Sequence, residues 1–306
     1  MGTVVVTDEQ IREAVPMADA VAAVRQAFAD LAAGAFEIPV RAALGGGAFL
    51  SMPVHHRPSG TAAVKTLSLN FDRTPAITGT VVWSDVSRTG GLAADAGALT
   101  ALRTGAASGV ATDLLADPGA SRLALIGAGG QAADQVRAVH AVRPLSRLTV
   151  TARTPARAEA LVASLRAELP GVESATAPDP AAAVAGADVV CCATNTAEPL
   201  FAAADLPERV HVNAIGSYRP GMRELPDDLL AAATVVVDDE EAVLEESGEI
   251  LHALGSGAID RGDLVELGTA LDGGLPERAP RTVFKSVGVA VQDWALARLL
   301  AERFLP

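Results

Sequence analysis

Cysteine and basic residues are both scarce in this 306-residue chain, and each scarcity removes a class of function. Its two cysteines, Cys191 and Cys192, are adjacent within an apolar run. They fit neither a disulfide framework nor a zinc motif and read as buried strand filler. Lys and Arg total 24 against 37 Asp and Glu, a formal charge of -13. Without clustered cations, that balance argues against nucleic acid as a partner. No uncharged apolar run approaches the roughly 18 to 20 residues needed to cross a bilayer, and Met1-Gly-Thr-Val-Val-Val-Thr-Asp8 has no charged leader, so a cytoplasmic protein with no membrane partner is expected. There is no Gly-x-Ser-x-Gly elbow. The adjacent His55 and His56 cannot face one site on a regular strand, and no ligand spacing recurs, so no metal site is expected. A small molecule is the partner class that remains.

What is present begins with a length that suits about two domains. Residues 16–33 place Val21, Val24, Phe28 and Leu31 at helical spacing before Gly34, predicting an amphipathic helix with a glycine stop. Apolar stretches punctuated by Gly and Pro follow from Arg41 to Val82, including Phe49 to Val54, Ala62 to Leu69 and Thr80 to Trp83, and predict a strand-rich region. Ala98 to Leu115 reads as a helix, and Asp117-Pro-Gly119 as a break. Beyond it, strand-like runs at Leu123–Ile126, Leu148–Ala152, Ala187–Cys192, His211–Ile215 and Thr234–Val237 alternate with helix-like stretches such as Gln131–Val142 and Pro155–Leu169. Near-continuous apolar strands are what a parallel sheet covered on both faces requires. The expected fold class is therefore α/β, a Rossmann-type doubly wound parallel sheet beside a second, α+β domain.

The first of those strands runs into Gly127-Ala-Gly-Gly-Gln-Ala132. Gly127 permits a tight turn, Gly129 lets the backbone approach a pyrophosphate, and Ala132 takes the third small position, where helix packs on strand. The next helix aims free N–H groups at the phosphates. At the end of the second strand, where an acidic residue accepts the 2′-hydroxyl of NAD, the chain carries Arg153 and Thr154. An arginine there suits a 2′-phosphate, so NADP(H) is favoured and NAD(H) is the alternative. Thr194 and Asn195 after one later strand, and Ile215 and Ser217 at the end of the next, border the expected nicotinamide position.

Several segments together resemble the ornithine cyclodeaminase/mu-crystallin family of NAD(P)-dependent proteins acting on amino and imino acids. They are Pro39-Val-Arg41, Met52-Pro53, Lys65, Leu99-Thr-Ala-Leu-Arg-Thr-Gly-Ala-Ala107, Ile126-Gly-Ala-Gly-Gly-Gln-Ala132, Val212-Asn-Ala-Ile-Gly216, Glu246-Ser-Gly248 and Val283-Phe-Lys-Ser-Val-Gly288. The resemblance spans nearly the whole chain. It implies a homodimer, with a substrate-binding and dimerisation domain at 1–119 completed by 289–306, and an NAD(P)-binding domain at 120–288. It also implies that Arg41, Lys65 and Arg103 hold a substrate carboxylate, which three converging cations can neutralise and an arginine fork can orient. Glu246 matches a family acid near the substrate, within an acidic stretch from Asp238 that otherwise reads as a solvated face. Lys65 and Glu246 are the expected catalytic residues, and Ser286 joins the expected cofactor contacts.

One departure decides between branches of the family. Where the cyclodeaminases carry an aspartate thought to handle substrate amines, this chain has Tyr218, which cannot replace a carboxylate at neutral pH. The mu-crystallin branch, which resembles ketimine reductases, also lacks that aspartate and shares the Tyr218-Arg-Pro-Gly-Met-Arg-Glu-Leu225 framing. The expected activity is reduction of a carboxylate-bearing imine such as pyrroline-2-carboxylate or piperideine-2-carboxylate, with Tyr218 lining the pocket. Glu246, ordered water and Tyr218 stay open as proton sources. Ornithine cyclodeamination, alanine dehydrogenase-type deamination, and a binding protein that holds NADPH and a small acid without turnover are the alternatives.

Overall fold

The computed structural model describes residues 2–39, 41–70, 72–73, 75, 77–275 and 277–305, so Val40 of the Pro39-Val-Arg41 element lies outside the described residues. The chain divides into two compact units, 1–107 with 289–306, and 108–288. No helix among the described residues is long and apolar enough to cross a membrane.

The first unit opens with β1 (Val4–Val6), α1 (Asp8–Ala14) and α2 (Met17–Ala32). Gly34, just beyond α2, has φ of 70°, the left-handed turn that glycine accepts without penalty. Strands β2 (Phe36–Glu37), β3 (Ala42–Leu44), β4 (Phe49–His56), β5 (Thr61–Leu69), β6 (Ile77–Asp85) and β7 (Gly91–Asp95) follow. Their sheet has the order β1-β7-β6-β5-β4-β2, with β3 also on β4. Side chains alternate between faces along each strand, so register decides who shares a face. Met52, Lys65, Val81, Ala94 and Val6 form one buried row across five strands. The next row, Pro53, Val64, Val82, Ala93 and Val5, lies on the opposite face, where Val5 is 70% and Val82 42% exposed.

The helix α3 (Ala96–Leu115) leaves β7 directly, its start held by Asp95, whose Oδ1 accepts from the Ala98 N–H at 2.8 Å. The unit boundary falls inside this helix, between Ala107 and Ser108. The expected boundary at 119/120 instead lies just past the end of α3 at Leu115.

The second unit contains β8 (Arg122–Ile126), α4 (Ala132–Val142), β9 (Arg147–Thr151), α5 (Pro155–Glu168), β10 (Glu173–Thr176), α6 (Pro180–Val184), β11 (Val189–Cys192) and β12 (Val210–Ala214). After these come α7 (Asp227–Ala231), β13 (Ala233–Val237), α8 (Glu240–Glu246), α9 (Gly248–Ser256), β14 (Leu264–Glu266), α10 (Leu267–Leu271) and β15 (Arg281–Lys285). Its sheet runs β10-β9-β8-β11-β12-β15-β13-β14 with every pairing parallel. Five of these strands match the sequence expectation, while β10, β14 and β15 were not foreseen. Both edges lack an apolar run: β10 is Glu-Ser-Ala-Thr and β14 spans three residues. The interior β15 hides its Val283-Phe284 pair between Arg281 and Lys285. In β11, Cys191 and Cys192 are fully buried, and burial pushes the Cys191 thiol up to about 12. Both are inert packing groups at neutral pH.

Because β8 pairs with β9 on one side and β11 on the other, successive connections leave in opposite directions there. The carboxyl ends of β8 and β11 thus flank a topological switch point, where ligands of this fold class bind. A final helix, α11 (Ala290–Phe304), belongs to the first unit and packs on β4 to β7 and on α2. It is anchored by the Trp294 indole, which donates to Thr61 Oγ1 at 2.9 Å.

Candidate functional site

The glycine turn is built by close approach on one side and empty space on the other. Gly127 has φ of 112°, and a Cβ there would stand 2.4 Å from the Ala193 carbonyl oxygen. Its N–H donates to Thr151 O at 2.8 Å, so the turn is held between the ends of β9 and β11. At Gly129 and Gly130 a Cβ would meet no heavy atom within 4 Å. Ala132, the first residue of α4, is fully buried. The N-cap residue Gln131 makes no side-chain capping bond; the Ala132 N–H donates to Gly129 O at 3.1 Å, and the next N–H groups of the first turn have no side-chain cap. A close-packed floor, an open upper side and uncapped donors together fit a dinucleotide pyrophosphate.

Arg153 is exposed just past β9, followed by Thr154 as N-cap of α5 and Pro155 in its first turn. Among the described residues no hydrogen bond or ion pair engages its guanidinium.

The loops after β11 and β12 are tied together by carboxylates. Glu224, fully buried, accepts from Thr194 N and Thr194 Oγ1, both at 2.7 Å, and from Gly216 N at 2.8 Å. Gly216 is required here, since a Cβ would lie 2.1 Å from Thr194 O. Glu249 accepts from the Ser217 hydroxyl, from Ser247 Oγ at 3.2 Å and from Glu224 N at 3.1 Å. Lys285 donates to Ser217 O at 2.6 Å and sits 3.5 Å from Glu249. Asp238, at the end of β13, accepts from Ser286 Oγ at 2.7 Å, Val287 N at 3.0 Å and Gly288 N at 2.7 Å. Burial raises both Glu224 and Asp238, and the donors aimed at them oppose it.

Two sequence expectations change accordingly. Asp238 is a buried loop anchor, not part of a solvated face. The hydroxyls of Ser217 and Ser286, expected at the cofactor, turn inward to Glu249 and Asp238. Of the remaining positions, Asn195 is exposed and Ile215 buried. Sequence reasoning missed Glu224, Glu249 and Asp238. Glu224 stands within the Arg-Glu-Leu framing and Asp238 directly follows an apolar strand, and both contexts mark a carboxylate that the fold carries inside.

In the first unit, the expected carboxylate anchors assemble around a group that was not expected. The chain has only two lysines, Lys65 and Lys285, and both are buried. Lys65 projects from β5 to Asp293 on α11, with Nζ 2.7 Å from Oδ2. Arg103, on α3, donates through Nε to Asp293 Oδ1 at 3.2 Å and through Nη1 to Gln292 Oε1. Arg41, just before β3, is the most exposed of the three cations and still acts on Lys65 electrostatically. Burial first, then Arg103, lower the Lys65 ammonium to about 8, and Asp293 opposes the shift. Two buried cations, Lys65 and Arg103, share the one carboxylate of Asp293, so this trio keeps one formal positive charge in excess while Lys65 is protonated. That arrangement attracts an anion and places beside it a lysine able to lose its proton near neutrality.

Tyr218 and Glu246 belong to the second unit. The Tyr218 ring packs on apolar core residues with the Arg219 guanidinium 5.5 Å from its centroid, and burial raises the phenol, which keeps its proton at neutral pH. Glu246 is half-buried at the last position of α8.

The chain as a whole is similar to known proteins. The Δ1-pyrroline-2-carboxylate reductase of Bacillus cereus is 40% identical over 215 residues, 67% of this chain and 64% of the enzyme. Mouse ketimine reductase mu-crystallin is 35% identical over 208 residues, 67% of this chain and 63% of that protein. The matches thus span slightly less than two thirds of these curated relatives. Among solved structures, the Δ1-pyrroline-2-carboxylate reductase of Thermococcus litoralis in complex with NADH and L-proline superposes with a TM-score of 0.92 at 30% identity, covering 99% of this chain and 98% of that one. The ornithine cyclodeaminase/mu-crystallin family is matched over residues 1–306, and the chain belongs to that family.

Proposed function

We propose that this protein is an NAD(P)H-dependent reductase of imino acids that converts a cyclic imine bearing a carboxylate, such as pyrroline-2-carboxylate or piperideine-2-carboxylate, to the cyclic amino acid. The observation that carries the reading is the buried pair of cations, Lys65 and Arg103, converging on the single carboxylate of Asp293. Arg41, Lys65 and Arg103 bind the substrate carboxylate and so fix the adjacent C2 carbon. A bound reduced dinucleotide supplies the hydride for that carbon. Lys65 is the proton source for the imine nitrogen, since its pKa of about 8 keeps the ammonium populated at neutral pH yet able to release a proton. Glu246 is retained as a second acid and Tyr218 as a pocket wall.

Gly127, Gly129, Gln131 and Ala132 cradle the pyrophosphate, with Thr194, Asn195, Ile215, Ser217 and Ser286 in the loops beyond. The inward-turned hydroxyls of Ser217 and Ser286 leave those two positions their backbone groups for contact. Arg153 and Thr154 meet the adenosine end, and the unengaged Arg153 supports NADP(H) over NAD(H), although the Thermococcus relative holds NADH. Arg153→Ala should raise the Kd of NADPH by about tenfold, the loss of one charge-assisted contact, and leave that of NADH unchanged. Titration calorimetry with both reduced cofactors reads this, and tighter NADH binding by the wild type would contradict it.

The half-exposed apolar row of Pro53, Val64, Val82, Ala93 and Val5 supports a homodimer formed through the first unit's sheet. Two free, buried cysteines fit a cytoplasmic protein. Tyr218 in place of an aspartate disfavours cyclodeamination. Consumption assays separate the readings: NADPH oxidation with either cyclic imine supports reduction. Failure with both, together with conversion of ornithine to proline and ammonia, would replace it.

A further inference from the structure

Among the described residues, Asp293 is paired with the two buried cations that the proposed anion site uses. Its side chain is 1% exposed, as is that of Lys65, and its two oxygens are divided between them, Oδ2 to Lys65 and Oδ1 to Arg103. The neighbouring Gln292, also fully buried, takes the other arm of Arg103. The two residues reach the site from α11, the last helix of the chain, which covers the sheet face that Lys65 points into. On its own sheet Lys65 has only Met52 and Val81 beside it in register, both apolar. The charged groups that act on it are therefore Arg103 from α3, Asp293 from α11 and Arg41 from the segment before β3.

We propose that Asp293 is the positioning residue of the anion site, holding Lys65 and Arg103 in one register and keeping Lys65 charged until a substrate carboxylate arrives. The inference deepens the carboxylate-anchor reading above and rests on it. Composition adds an independent argument. With 24 Lys and Arg of which two are Lys, this chain uses arginine for nearly every positive charge, yet keeps a lysine at this point. Arginine cannot be deprotonated in a protein, whereas a buried lysine can. A lysine flanked by two arginines loses its charge readily, and the single carboxylate that opposes this is Asp293. Asp293 thus both fixes the geometry and sets the pH below which the ammonium exists. An incoming carboxylate acts in the same direction and strengthens the charge of Lys65 as it binds.

The test uses pyrrole-2-carboxylate, a planar anion that cannot be reduced, and the whole protein. Its Kd should be level below about pH 8 and then rise about tenfold per pH unit as free Lys65 loses its proton. In Asp293→Asn the break should move at least about one pH unit toward acid, because both the attraction and the hydrogen bond that raise the Lys65 pKa are gone. A purely structural role would instead raise Kd by the same factor at every pH, and that result would overturn the proposal. Asp293→Glu, which keeps the charge, should keep the wild-type break, and a shift equal to that of the Asn variant would overturn it as well. Lys65→Arg needs no change at Asp293: the break should vanish, and its persistence would assign the titration elsewhere. Absence of binding at any pH would instead sink the carboxylate-anchor reading itself.

Discussion

Replacing Lys65 by methionine is expected to lower kcat/KM for pyrroline-2-carboxylate by at least about a thousandfold while the Kd of the reduced dinucleotide stays within about twofold of wild type. Two losses combine. A charge-assisted hydrogen bond to the substrate carboxylate contributes about 1.5–3 kcal/mol. A positioned proton source contributes about 10²–10⁴-fold in rate. Methionine fills the space of the lysine stem and leaves Asp293 paired with Arg103, so the fold should persist. Lys65→Arg separates the two losses. It keeps the charge but cannot release a proton, so it should lower kcat more than it raises KM. Steady-state kinetics beside a dinucleotide titration checks both variants. Activity within tenfold of wild type in the methionine variant would remove Lys65 from the chemistry.

The second large effect belongs to the glycine turn. Gly127→Ala places a side chain at φ of 112°, which costs an L-residue about 1–2 kcal/mol. It also brings a Cβ to 2.4 Å from a backbone oxygen that has no flexible way to retreat. A stability loss of about 2–4 kcal/mol and at least about a hundredfold rise in dinucleotide Kd should follow. Gly129→Ala is the informative contrast. Its Cβ meets nothing within 4 Å, so the thermal midpoint should stay near wild type while dinucleotide affinity falls by about tenfold or more, because the methyl fills the space a phosphate would take. Equal destabilisation by the two substitutions would contradict this division of labour between floor and open side.

The parallel-sheet unit was legible in the sequence because its signals are local. An apolar strand, closely spaced glycines and a helix start occupy ten consecutive residues, and the following strands are uniformly apolar because both faces are covered. The edge strand β10 escaped because solvent on one side permits Glu173 and Thr176. The strand β15 escaped because its charged end, Lys285, is paired inside the protein, a fact no local pattern carries.

The cation cluster proposed to bind the substrate was legible only as separate cations. What joins Lys65 and Arg103 is Asp293, 190 residues from Arg103, and long-range pairing leaves no periodic trace. A trace of another kind existed: Asp293 lies four residues after Val289 and seven before Leu300, on the apolar stripe of its own helix. A carboxylate on such a stripe is buried, and a buried carboxylate needs cations. Asp238 teaches the same lesson. It heads an acidic stretch that composition assigns to solvent, yet it closes a buried strand and collects two backbone N–H groups and the Ser286 hydroxyl.

The proposed reduction requires that hydride reach C2 of a carboxylate-bearing imine. Mass spectrometry of the product formed from pyrroline-2-carboxylate and dinucleotide carrying deuterium at both C4 positions of the reduced nicotinamide tests it. Proline carrying one deuterium at C2, formed one for one with oxidised dinucleotide, is the expected result. Proline without deuterium, or proline arising only from ornithine with release of ammonia and no net dinucleotide oxidation, would contradict it.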